Sequence, residues 1–299
     1  MSALLGNPMV TTAALPFVLG MVMALLARFA LPASSTVISL LWAVLLLFFY
    51  WDTLGPPVVP PVAASQKLIY LAFAGIVAGL LPERLLGAAV AGKLVAAALA
   101  AALLWLGWRR IAGGALDLQM IAALIAGLLA IVGAAMLLSL KASPSPPAEE
   151  PFLVPAAMLA LCLAGAIISV LGASIVTGQL LGSLAALAGG WGLVQYIAVL
   201  RGGSATAVSK GTELILIYAA ATVLIQVALL APKANPLALM LSPLPLAVAA
   251  LVPGPLRGLV PGARPLRPLV AGLLIATPAI LAILTALLFA PHGAALGFS

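Results

Sequence analysis

Long apolar runs separated by short polar or Pro/Gly-rich breaks organise the whole chain. The runs show neither a period of two nor a polar face. This pattern predicts helices whose surroundings are lipid or one another, and not strands or surface helices. Crossing a hydrocarbon core takes about 20 apolar residues in a helix. Ten segments meet or approach that length: 10–27, 36–52, 67–81, 86–108, 117–140, 151–171, 176–200, 212–231, 236–253 and 268–290. Segment 67–81 is short, and 236–253 carries Pro243 and Pro245, so each crosses fully only if it stands upright or the bilayer thins around it.

The breaks are recognisable from their chemistry. Pro32–Ser35, the stiff Gly55–Pro61 stretch, Pro82–Arg84, Arg109–Gly114 and Gly202–Ser204 each interrupt a helical run, as does the Pro/Gly/Arg segment 253–268. Ser143–Glu150 is the most polar stretch and joins two parts, 1–142 and 151–299, with five spans each. The expected fold is therefore an all-α, polytopic membrane helix bundle of about ten spans, forming one integral membrane domain over 1–299. A duplication of five spans would invert one half relative to the other, as in many transporters. Thr12–Gly20 and Pro155–Leu163 are faintly alike, which keeps such a 5+5 arrangement open.

Composition sharpens the class. The 299 residues are 65% hydrophobic and only 6% charged, against about 25% charged in soluble domains. That excludes a soluble enzyme, a disordered chain and a nucleic-acid-binding domain, so lipid is the expected partner and nucleic acid is not. The first positive residue, Arg28, follows the first apolar run, so that run reads as a retained helix and not as a secretory signal. Cys162 is the single cysteine and lies in an apolar run, so there is no disulfide framework.

Charge placement predicts orientation. Under ten crossings, one set of loops carries Arg28, Arg84, Lys141, Arg201, Lys210, Arg257, Arg264 and Arg267; the other carries Lys67, Arg109, Arg110 and Lys233. The richer face is expected to be cytoplasmic, which puts both termini outside. The net charge of +7 then reads as topology plus contact with anionic lipid headgroups, with Arg257, Arg264 and Arg267 as headgroup residues.

Polar residues inside the spans are the candidates for function. Lys93 lies about 10 Å deep in its helix, where it either snorkels to the headgroups or anchors an anionic group. Glu213 opens the eighth span, where the helix dipole favours a carboxylate. With Gln195 on the same side, the three are expected to form one polar cluster in which Glu213 compensates Lys93. Pro243 and Pro245 remove the amides that would bond Leu239 and Leu241, so those carbonyls need other donors or line a wet cavity. Gln179 and Gln226 read as interhelical hydrogen-bonding residues, Asp52 and Asp117 as interfacial carboxylates, and Pro278 as a kink. Leu171–Gln179 reads either as a tight hairpin or as a re-entrant element.

Small residues mark close helix contacts. Gly178, Gly182, Ala186 and Gly190 repeat every four residues, as do Gly75 and Gly79. Four-residue spacing lines one helix face, where backbones approach closely. The neighbour in question is either within the chain or in a second copy or partner subunit.

No paired-carboxylate, HExxH, phosphate-loop or GxSxG motif occurs, and His292 and Cys162 are too few for a metal set. The chain is expected not to be an enzyme and to need no cofactor or metal.

The size and ten-span layout are similar to those of the drug/metabolite transporter superfamily, although members of that group usually keep their termini inside. Pro56-Pro57, Pro60-Pro61 and Ser65–Tyr70, with Gln179–Gly190, resemble uncharacterised multi-span inner-membrane proteins of proteobacteria. That resemblance implies a bacterial inner-membrane location and no activity. Two functions are expected. The first is a permease for a small neutral, amphipathic or anionic solute, with a polar cavity joining Lys93, Gln195 and the Pro243–Pro245 break. The second is a non-transporting scaffold or assembly subunit that docks through the glycine stripe.

Overall fold

A computed structural model describes residues 7, 9–31, 36–114, 117–140, 150–203, 205–263 and 266–290, and every regular element among them is helical. We number the helices α1 (Val10–Phe29, opening with a π turn over Val10–Ala14), α2 (Thr36–Leu54), α3 (Ala64–Leu86), α4 (Ala88–Ala112) and α5 (Leu118–Leu140). They continue with α6 (Glu150–Leu171), α7 (Ile175–Leu200), α8 (Lys210–Leu230), α9 (Pro236–Leu241), α10 (Leu244–Leu251) and α11 (Leu266–Leu288). Among the described residues, nine helices are long and apolar enough to cross a membrane: α1 to α8 and α11. The chain is a multi-pass membrane protein with an all-α fold.

The third span is longer than the sequence pattern indicates. Gln66 Oε1 accepts from the Val62 and Ala63 amides at 2.9 and 3.0 Å, which starts α3 at Ala64. The helix then runs past Pro82 to Gly87, whose φ of +88° turns the chain directly into α4. A membrane helix tolerates such a proline because neighbouring groups re-satisfy the backbone.

The ninth span is broken. Asn235 caps α9 by accepting from the Leu237 and Ala238 amides. Ser242 and Pro243 keep helical dihedrals between α9 and α10, so the segment is a kinked rod and not a hairpin. Pro236–Leu251 spans about 24 Å, short of a core about 30 Å thick. The α6–α7 connection is a tight hairpin: Gly172, Ala173 and Ser174 amides bond back to Ile168, Val170 and Ser169.

Helix α8 is the axis of the bundle. It packs against α2, α3, α4, α5, α6 and α7, and 94% of its membrane window is buried. Its neighbours close around it, with α1 outside α7 and α11 outside α6, α9 and α10. The two five-span halves contribute unequally. An inverted duplication would make α3 the counterpart of α8, yet only 33% of the α3 window is buried. The outer faces of the peripheral helices stay oily, with Val44, Phe73, Leu129 and Leu273 exposed. Trp51, Trp105 and Trp108 are exposed at the C-terminal ends of α2 and α4, where amphipathic rings suit the headgroup level.

Glycines set the helix spacing. A β-carbon at Gly75 would strike the Tyr218 ring, and one at Gly79 would meet Ile215 and the Gly211 carbonyl. These two glycines seat α3 on α8. On α7, Gly190 faces the Phe17 carbonyl of α1, and Gly20 of α1 faces the Leu187 carbonyl in return. Gly178 sits against Val170 and the Ala166 carbonyl of α6, and Gly182 lies near Thr12. Ala186, between them, is half-buried.

Candidate functional site

The expected polar cluster divides in the structure. Lys93 is exposed on α4 and makes no ion pair, whereas Glu213 is buried and bonded to Lys210 (Nζ to Oε2 3.1 Å). Compensation of Lys93 by Glu213 is thereby corrected. A lysine with a free outward path has no need of a buried carboxylate, and a residue three positions away supplies the local partner. Gln195 is buried on α7, where its Oε1 accepts from the Thr206 amide at 2.8 Å.

At the Pro243 break the freed Leu239 carbonyl finds another donor, one of the two expected outcomes. Ser242 Oγ donates to the Leu239 carbonyl at 3.0 Å, replacing the amide that Pro243 lacks. Both Pro243 and Pro245 are buried. The hollow beside Pro243, about 30 Å³, is walled by hydrocarbon from α5, α8 and α9, including Gly127, Ile131, Ala221 and Leu239. Gln195 and Lys93 are not on its wall. A space that small holds at most a water or two. Arg257 is exposed, Arg267 is half-buried at the start of α11, and Arg264 lies outside the described residues.

A different polar site stands where α2, α7 and the first turn of α8 meet. Ser209 caps α8 by accepting from the Thr212 amide, and its hydroxyl also lies 3.1 Å from those of Ser39 and Thr212. One turn deeper than Ser39 on α2 is Trp42; one turn deeper than Gln195 on α7 is Trp191. The two indoles meet at a centroid distance of 5.5 Å with planes tilted by 59°. Trp42 is 3% exposed, Trp191 0% and Gln195 1%. Yet among the described residues Trp42 Nε1, Trp191 Nε1 and Gln195 Nε2 have no hydrogen-bond partner.

These three donors form a graded series. At 1.5 Å per residue, Gln195 lies about 7 Å from the end of its helix, Trp42 about 9 Å and Trp191 about 13 Å. A buried N–H without an acceptor costs several kcal/mol in hydrocarbon, and native proteins contain few. What the three N–H groups lack is an acceptor with lone pairs, such as a carbonyl or carboxylate oxygen. Further along α8, Tyr50 Oη and Thr222 Oγ1 both donate to the Ala219 carbonyl at 3.2 and 2.9 Å, while Gln226 Oε1 is buried without a partner.

The tryptophans were not among the residues that the sequence pattern brought forward. The signal was present: tryptophan belongs at membrane interfaces, and Trp42 and Trp191 fall inside their spans. Among the described residues there is no group of His, Cys, Asp and Glu that would hold a metal ion. Compared with known proteins, the chain matches no family model, no curated sequence and no solved structure.

Proposed function

We propose that the chain is a permease for a small amphipathic solute carrying hydrogen-bond acceptors, received between α2, α7 and the start of α8. The observation that carries this reading is the set of three buried, unpartnered donors on Trp42, Trp191 and Gln195. Their inward-stepping depths suit a solute handed from the α8 N-terminal end toward mid-membrane. The indole walls suit its apolar body, and the N–H groups suit its carbonyl or carboxylate. The chemistry is binding and passage, with no reaction assigned to it.

Location belongs to the same proposal. With the Pro236–Leu251 rod counted as a tenth crossing, eight lysines and arginines on one set of loops against four on the other support a cytoplasmic α7–α8 loop and outward-facing termini. The likeness to multi-span inner-membrane proteins of proteobacteria supports the bacterial inner membrane. A docking scaffold is the weaker alternative, because the small-residue stripe of α7 already receives α1 and α6 of the same chain.

The test uses full-length protein in vesicles and a panel of simple amides, monocarboxylates and neutral aromatic carbonyl compounds. At least one class should raise the melting temperature and enter these vesicles faster than empty ones. The combined variant Trp42→Phe, Trp191→Phe, Gln195→Leu should lose both effects. No stabilisation and no uptake above empty vesicles, or undiminished uptake by the variant, would contradict the proposal.

A further inference from the structure

A second hollow lies on the outside of the bundle, between the C-terminal half of α4 and the N-terminal half of α5. It encloses about 220 Å³ and is walled by Leu103 and Ile111 of α4 and by Ile121, Leu124 and Ile125 of α5. Ile111, Ile121 and Ile125 are exposed, so the groove opens toward whatever surrounds the bundle, which at this level is lipid. Arg110 is the one charged residue on its wall. From Arg110 to Leu103 the groove descends about 10 Å along α4, in the direction of an acyl chain.

The upper end is cationic, and among the described residues no carboxylate pairs with it. Arg110 makes no ion pair with a carboxylate, and neither does Arg109 beside it. The nearest acid in sequence, Asp117, uses Oδ1 to accept from the Met120 amide at the start of α5. Lys67 reaches the same end from α3, donating to the Trp105 carbonyl at 2.9 Å with its ammonium 5.4 Å from the Trp105 ring centre. Lys67, Trp105, Trp108 and Arg109 make this end of α4 basic and aromatic, and Arg110 alone among them lines the slot.

We infer that this groove is a specific binding site for one anionic phospholipid, its phosphate held by the Arg110 guanidinium and one acyl chain laid between α4 and α5. A planar guanidinium offers a fork of donors that matches phosphate oxygens in pairs, which a lysine does not. The excess of positive charge at the rim selects a net-negative headgroup over a zwitterionic one. The depth and the apolar walls select a lipid over a free anion. This site is separate from the donor set on α2 and α7, and it stands whether or not that set binds a solute.

The experiment takes delipidated full-length protein in detergent and measures its melting temperature and, by native mass spectrometry, retained lipid. Three probes are compared: phosphatidylglycerol, phosphatidylcholine with the same acyl chains, and glycerol 3-phosphate. Phosphatidylglycerol should stabilise the wild type by several degrees and be retained as one molecule per chain, with little effect from the other two. Arg110→Gln should weaken retention roughly tenfold. Ile125→Trp, which fills the slot, should do the same while leaving the charges in place. Arg109→Gln, off the groove wall, should keep most of the effect. Equal stabilisation by phosphatidylcholine, or by glycerol 3-phosphate, would overturn the inference. So would full retention by Arg110→Gln.

Discussion

Gly75 of α3 and Tyr218 of α8 share one site: the tyrosine ring occupies the space that a β-carbon on the glycine would need. The contact decides how closely the peripheral hairpin approaches the axis. Gly75→Ala should therefore destabilise the detergent-solubilised protein by about 1–3 kcal/mol, the usual cost of overpacking. Combining it with Tyr218→Ala should be strongly non-additive in a thermal melt, because the second change removes the clash. Simple additivity of the two would mean that the helices do not meet there.

Tyr50 tests the axis from the opposite side. Its hydroxyl donates to the Ala219 carbonyl, which also accepts from Thr222. Hydrogen bonds inside membrane bundles average about 0.6 kcal/mol and reach about 1.7. Tyr50→Phe should fall in that range, and adding Thr222→Val should cost more than either alone. A Tyr50→Phe protein as stable as the wild type would remove this bond from the account.

The charged residues give a contrast within one experiment. Lys93 is exposed, so Lys93→Leu should change stability by no more than about 0.5 kcal/mol and show no coupling to Glu213→Gln. Lys210→Met and Glu213→Gln, by contrast, should be non-additive because their side chains are bonded at 3.1 Å. Coupling between positions 93 and 213 in a double-mutant cycle would refute the placement of Lys93.

The break between α9 and α10 rests on a hydroxyl. Ser242→Ala leaves the Leu239 carbonyl without the donor that Pro243 cannot supply, and should cost about 1 kcal/mol. Ser242→Thr, which keeps the hydroxyl, should recover most of it. An alanine variant as stable as the wild type would show that another group serves that carbonyl.

The spans were legible in the sequence because lipid solvation forces long, uninterrupted apolar runs, and their ends sit within a few residues of the helices. Span 3 was the exception, since Pro82 looked like a terminator although the helix passes through it. The ranking of helices was not legible. Every run has similar hydropathy, so nothing in the composition of 212–231 singles out α8 as the shielded axis and not a lipid-facing helix. The glycine stripes did point to close contacts, but which helix each stripe meets depends on chain order in space. The candidate site was hidden for a related reason. Charged residues draw attention because of their insertion cost, yet Lys93 escapes outward, while two of the three unsatisfied donors are indole N–H groups on largely apolar side chains; only Gln195 stood out in the sequence.

The claim on which the functional account depends is that Trp42 and Trp191 hold their indole N–H groups ready for a ligand. Nitrogen-15 indole spectra of the full-length protein in nanodiscs read those groups directly, each tryptophan being assigned by a phenylalanine variant. On adding the stabilising compound, the Trp42 and Trp191 resonances should move downfield as their N–H groups gain an acceptor, while those of Trp51, Trp105 and Trp108 stay in place. If a compound that the protein carries leaves both resonances where they were, the solute does not bind at this site.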